Sequence, residues 1–230
     1  MHLVSISQAQ RAPLPHARWL GTVYHGLPTG MYRFHPKPAD YLAFLGLVSP
    51  EKRPDRAIEI AIRAGLPLKI AVKIDPVDRD YFNAVIRPLL SHPLVEFLGE
   101  IDEREKENLL GHAKALLFPI DWPEPFGLVM IEALACGTPV IAFRKGSVPE
   151  VIEHGVTGFV VETVDEAVDA VRRLDALSPR RCREEFEKRF TSTRMAADYV
   201  KIYEKLTSPC RRPPGLRIGP AHGANNLQSV

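Results

Sequence analysis

Two glutamates are the residues whose type and spacing could do chemistry in this 230-residue chain. Glu124 lies between two prolines, and Glu132 interrupts an otherwise apolar run from Phe126 to Cys136. A helix opening at about Phe126 leaves the backbone N–H groups of Gly127, Leu128 and Val129 without intrahelical partners, and with the helix dipole these form an anion site. Glu124 stands just before that site. Glu132 follows eight residues later, about 12 Å along a helix axis. That matches the reach from one end of a nucleoside diphosphate-sugar to its ribose. A carboxylate accepts hydrogen bonds from two vicinal hydroxyls, and ribose offers such a pair. The spacing thus puts Glu124 at a sugar, the helix start at phosphates and Glu132 at a ribose. A plainer arrangement fits the same residues: Glu124 as a helix-start carboxylate favoured by the dipole, and Glu132 as an ion-paired helix residue.

Both arrangements need a framework that exposes the start of this helix. Strands are expected at Tyr41–Gly46, Leu68–Ile74, Val95–Gly99, Ala113–Ile120, Pro139–Phe143 and Gly158–Glu162. Between them lie helical patterns at Arg53–Ala64, Arg79–Leu90, from Asp102, at Phe126–Cys136 and at Val148–His154. Asp102 with Glu105, and Thr163 with Glu166, have capping-box spacing. Short apolar strands alternating with helices predict a Rossmann-like α/β fold, a parallel sheet of about six strands with helices on both faces. Such sheets bind ligands beyond the carboxyl ends of their strands. The loops concerned are Gly46–Lys52, Lys73–Asp75, Pro119–Phe126 and Arg144–Val148, and Arg144-Lys145 reads as a solvated basic pair more readily than as an anion contact.

The ends differ from the middle. Residues 1–40 hold two short strand patterns, Leu3–Ser7 and Trp19–Tyr24, then a Pro/Gly-rich run. Residues 41–177 carry the alternating pattern, 178–207 two helices, and 208–230 a non-periodic tail expected to be disordered. On the last helix, Tyr199, Ile202, Tyr203 and Leu206 fall on one face, expected to be under-covered and to reach towards Leu3–Ser7.

A net charge of +2 gives no argument for nucleic acid; the three arginines after Thr207 leave residues 1–207 at −1. A nearly neutral body must hold an anion through a specific site. Nothing reads as a transmembrane segment or a signal peptide. Three widely spaced cysteines and eight scattered histidines form no metal pattern, so no metal or cofactor is expected, and the thiols suit a cytoplasmic setting.

The stretch EPFGLVMIEALACGTPVIA closely resembles the E-x7-E signature of the retaining glycosyltransferases of family 4, which have the GT-B fold. The resemblance extends over about Ser5 to Leu206. Tyr41–Lys52 is similar to the family's first strand and phosphate loop, Val95–Glu100 to its nucleobase-side strand, Gly146–Glu150 to its Gly-rich turn, and His154–Gly158 to the loop before its last strand. It implies sugar transfer from a nucleotide donor, UDP- or GDP-linked, with retained configuration and no bound metal. Glu124 would lie by the donor sugar as the catalytic residue and Glu132 would bind the ribose. Lys52 would bind the diphosphate, and the segment Phe126, Gly127, Leu128 and Val129 would meet the phosphates.

Three departures stand out. Leu47 occupies the place of a phosphate-binding arginine, and Val72 that of a glycine; Lys73 reads equally as a substitute cation or as a solvated lysine. The chain also resembles only the C-terminal, donor-nucleotide half of a GT-B enzyme, with residues 1–40 as a remnant of the other half and linker. It therefore reads as truncated to one GT-B half, for which a separate acceptor-domain subunit is a candidate partner. Two alternatives follow: a non-catalytic nucleotide-sugar-binding module, or a degenerate interaction domain.

Overall fold

A computed structural model describes residues 2–207. In chain order, β1 (Leu3–Ser5) and β2 (Trp19–Thr22) precede β3 (Leu42–Leu47), α1 (Pro54–Ala64) and β4 (Leu68–Lys73). Two single helical turns, α2 (Arg79–Tyr81) and α3 (Arg87–Leu89), lead to β5 (Val95–Gly99), α4 (Glu103–His112) and β6 (Ala115–Phe118). Then come α5 (Leu128–Cys136), β7 (Val140–Phe143), α6 (Val148–Val151) and β8 (Gly158–Val161). Helices α7 (Val164–Arg172), α8 (Pro179–Arg189) and α9 (Ser192–Thr207) follow.

Strands β3 to β8 form one parallel sheet in the order β5-β4-β3-β6-β7-β8. Its inner strands are apolar and buried on both faces, with side chains alternating between two cores, whereas the edge strand β5 is largely exposed. Ile141 and Phe143 point into the core beneath α1 and α7, while Val140 and Ala142 point into that beneath α5 and α8. The expected α/β class and two-sided helix cover are what the chain adopts. The strand order reverses between β3 and β6, and reversal opens a crevice at the carboxyl ends of those strands.

Several local expectations are corrected. The helix anticipated over 79–90 is interrupted by a π-helical turn at Phe82–Ile86. Pro88 has no N–H to donate back into that turn, and a widened turn is one outcome of a missing donor. The helix at Val148 stops at Val151, because Ile152 turns extended and buries its side chain. The box at Asp102 and Glu105 is complete, with bonds of 2.8 and 2.9 Å. At Thr163 only half forms: its hydroxyl caps Glu166 N–H, but the Glu166 carboxylate accepts from Glu162 N–H instead.

The two N-terminal strands pair in parallel as a separate small sheet. Glu150, at the third position of α6, fastens this segment by accepting from the N–H groups of Gln8 and Ala9 at 2.7 and 2.8 Å and from Tyr24 Oη at 3.0 Å. Helix α9 packs Ile202 against Gly21 of β2, whereas Tyr203 and Leu206 are exposed. The disorder expected for residues 208–230 lies outside the described residues. Among those residues, no helix is long and apolar enough to cross a membrane.

Helix α8 belongs to the core that carries α5. Cys182, Phe186 and Phe190 are buried with Met130, Leu134 and Val148 in one cluster. Phe186→Ala should therefore lower stability by about 3–5 kcal/mol, the usual range for a fully buried phenylalanine. Urea unfolding followed by tryptophan fluorescence would test this, and a loss under about 1 kcal/mol would mean that α8 is a detachable appendage.

Candidate functional site

The crevice at the switch point is a cleft of about 710 Å³. Its walls come from the carboxyl ends of β3 and β4, the loop Trp122–Gly127, the first turns of α5, Lys106 of α4, and Ile6 and His25 of the N-terminal segment. Every site residue read from the sequence lines it: Lys52, Glu124, Phe126, Gly127, Leu128, Val129 and Glu132. Helix α5 starts later than expected, at Leu128, because Gly127 adopts a left-handed conformation (φ 76°). The leading N–H groups are thus those of Leu128, Val129 and Met130, of which the last bonds Gly127 O at 3.0 Å.

Glu124 is aimed by two loops. Gly146 approaches so closely that a Cβ there would lie 2.2 Å from Glu124 O, and its φ is 51°. Only glycine meets both conditions. Ser147 then donates its N–H to Glu124 O and its hydroxyl to Phe126 O, each at 2.9 Å. With its backbone held, the Glu124 carboxylate accepts from Trp122 Nε1 at 3.1 Å and is ion-paired with Lys52. The Lys52 ammonium also sits 5.0 Å from the Trp122 ring centroid, within cation–π range.

Lys52 owes its position to a second set of ties. Asp121 donates its N–H to Glu51 O at 2.8 Å and pairs through its carboxylate with Lys145, Arg56 and Arg53. The hydrogen bond from Lys145 holds the Asp121 carboxyl below the usual carboxylate range, with burial opposing and Arg56 adding to it. Arg53 has a positive φ of 55° although it is not glycine, and it is chelated by Asp55. Arg144 pairs with Glu162. Both residues of the basic pair at 144–145 therefore meet carboxylates of the chain itself.

Glu132 lies one turn beyond Leu128 on the same helix face. Its Oε1 is 3.3 Å from Lys106 Nζ, which is also 2.8 Å from Glu103 Oε1. The ion-paired arrangement weighed for Glu132 is thus present, and the residue still lines the cleft. Burial opposes the Lys106 charge, but the Glu103 and Glu132 carboxylates outweigh it and raise its pKa above 10.5. Tyr32 closes the network by donating its hydroxyl to Glu103 at 3.2 Å. Burial, then the Glu132 and Glu103 charges, push the Tyr32 pKa far above 10.0. On the opposite wall, burial and Arg194 push the His25 imidazole below 6.5, so it is neutral at neutral pH.

Sequence reasoning missed Trp122, Lys106, Tyr32, His25 and Ser147. Trp122 stands two residues before Glu124 and was legible as a neighbour. Lys106 and Tyr32 come from separate elements, and no local spacing links them to Glu132. Leu47 and Val72 both line the cleft, the former 40% exposed and the latter buried.

The fold is that of GT-B glycosyltransferase structures. A glycosyltransferase involved in avilamycin A biosynthesis superposes with a TM-score of 0.77 at 26% identity, covering 90% of this chain and 64% of that one. The chain belongs to the family described as Glycosyl transferases group 1, which matches residues 33–191. A D-inositol 3-phosphate glycosyltransferase of Thermobispora bispora is 31% identical over 74% of this chain and 45% of its own length. An N-acetyl-alpha-D-glucosaminyl L-malate synthase of Bacillus anthracis is 36% identical over 47% and 30%, respectively. The chain thus spans less than half the length of these curated relatives.

The Tyr32–Glu103–Lys106–Glu132 network makes stability depend on alkaline pH. Lys106 and Tyr32 have folded pKa values above their unfolded ones, so above about pH 10 the folded chain keeps protons that the unfolded chain releases. Stability contributed by Lys106 is complete below its unfolded pKa, and both groups make stability fall as pH rises beyond that. Tyr32→Phe should flatten the fall between about pH 10 and 11 in urea unfolding. Parallel pH profiles for the two proteins would show that Tyr32 titrates as it does in the unfolded chain.

Proposed function

We propose that the chain is the C-terminal, donor-nucleotide half of a family 4 glycosyltransferase, with residues 41–177 as the nucleotide-binding unit. It would transfer a sugar from a UDP- or GDP-sugar with retained configuration. The observation that carries this reading is one cleft holding the open start of α5, the Lys52–Glu124 pair before it and Glu132 one turn into it.

In this reading the diphosphate lies against the N–H groups of Leu128 and Val129, where a helix start favours negative charge. Lys52 adds a cation to the leaving diphosphate as the bond to the sugar breaks and positive charge builds on the sugar carbon. Glu124, locked between Lys52 and Trp122, faces that carbon. Glu132 takes the ribose hydroxyls. Such preorganised charges act strongly only in a site that excludes water. The acceptor would be held by another domain or subunit.

A second reading is a module that binds a nucleotide-sugar without turnover. Leu47 favours it, because an exposed apolar side chain on the cleft wall supplies nothing to a diphosphate. A degenerate interaction domain has less support, since that domain would have no need of three lysines and three glutamates around one cleft.

The test is calorimetry with UDP, GDP and ADP on the purified chain. Glu132→Ala should weaken binding of the preferred nucleotide by about 1–3 kcal/mol, as for hydrogen bonds to a charged group. The wild-type chain should discriminate by a similar amount against the 2′,3′-dideoxy analogue. Equal affinity for the normal and dideoxy nucleotides would leave Glu132 with only its Lys106 pairing. No binding of any of the three at millimolar concentration would favour the interaction domain.

A further inference from the structure

Three lysines line the cleft, and two are already neutralised: Lys52 by Glu124, and Lys106 by Glu132 and Glu103. Lys73 differs. Among the described residues its side chain has no carboxylate partner, and it is exposed. Lys73 ends β4 and pairs in register with Leu47, which ends β3. Register partners on adjacent parallel strands point to the same side of the sheet, and both residues line the cleft.

The charges around the cleft sharpen the point. Lys52, Lys73 and Lys106 balance Glu100, Glu124 and Glu132, and His25 is neutral. Without Lys73 the cleft would carry a net negative charge against an anionic ligand, and like charges brought together in a site are unfavourable. Leu47 and Leu128, also on the cleft wall, are apolar side chains 40% and 47% exposed.

We propose that Lys73 binds a phosphate of the nucleoside diphosphate, taking from the strand next to Leu47 the charge that Leu47 lacks. The proposal rests on the nucleotide-binding reading above and adds the residue on which diphosphate affinity depends. Lysine is a compact, hydrated point charge on a flexible stem, so the contact is electrostatic rather than a bidentate fork. Such a contact weakens with salt.

The experiment is calorimetry with UDP, GDP and ADP at low and high salt, on wild type, Lys73→Met, Lys73→Arg and the double variant Leu47→Arg/Lys73→Met. Lys73→Met should weaken the preferred diphosphate about tenfold or more at low salt, the scale of one charge-assisted hydrogen bond. It should also reduce the salt dependence of binding. Lys73→Arg should bind within about threefold of wild type, since the charge is kept. The double variant should regain most of the lost affinity, because the charge returns from the partner position. An unchanged affinity and salt dependence in Lys73→Met would overturn the proposal while leaving the glycosyltransferase reading intact. So would a weakened Lys73→Met with unaltered salt dependence and no gain from Leu47→Arg, the pattern of a structural role. Failure of wild type to bind any of the three diphosphates would overturn both.

Discussion

The cleft depends on one close approach, between Gly146 after β7 and the backbone of Glu124 after β6. No side chain fits between them, because the space that a Cβ would need holds the Glu124 carbonyl. The contact lets Ser147 reach both Glu124 O and Phe126 O, which fixes the chain on either side of Pro125. Two consequences follow. The Glu124 carboxylate turns into the cleft towards Lys52, and the backbone at Gly127 enters its left-handed conformation, from which α5 starts. A parallel sheet supplies the setting, since adjacent strands deliver their loops to the same edge. The loop-to-loop contact makes that edge a defined site.

Charge organisation comes next. The loops after β3, β6 and β7 are joined through Asp121, which meets Glu51, Arg53, Arg56 and Lys145. These partly exposed pairs add little stability one by one. Their effect is geometric: they bring Lys52 beside Glu124 and hold three loops as one unit. Inside the cleft the pairs are better shielded, with Glu124 and Glu132 each only 9% exposed. Removing one partner of such a pair costs more than the pair contributes, because a charge is left behind in poor solvent. Two of the cleft's lysines and two of its glutamates are thus paired within the chain, and Lys73 stands apart from those pairs.

The sequence disclosed periodic features well and contacts between distant segments poorly. Strand and helix positions follow from apolar runs broken by Gly and Pro, so β3 to β8 fall within a residue or two of their expected bounds. The start of α5 was misplaced by two residues, because Phe126 continues the apolar pattern while Gly127 breaks the backbone. The π turn at Phe82–Ile86 was hidden for a similar reason: side-chain periodicity carries no record of which carbonyl each N–H will reach. At the cleft, Glu124, Glu132 and the helix start were legible from type and spacing. Lys106 and Tyr32 were not, since they reach Glu132 from α4 and the N-terminal segment, 26 and 100 residues away in the chain. The role of Glu150 in fastening the N-terminal segment, across more than 140 residues, was beyond local pattern for the same reason.

The two arrangements that spacing left open for Glu132 are not exclusive. A carboxylate has two oxygens and about four acceptor directions. Lys106 engages Oε1, and the ammonium is itself held by Glu103, so that the pair is oriented rather than quenched. A carboxylate at a 9% exposed position on an apolar helix needs a partner, since a buried polar group without one is costly. Lys106 supplies that partner at Oε1 and leaves the other acceptor directions uncommitted. The ion pair that looks like the plainer explanation is therefore compatible with a ligand hydrogen bond to the same carboxylate.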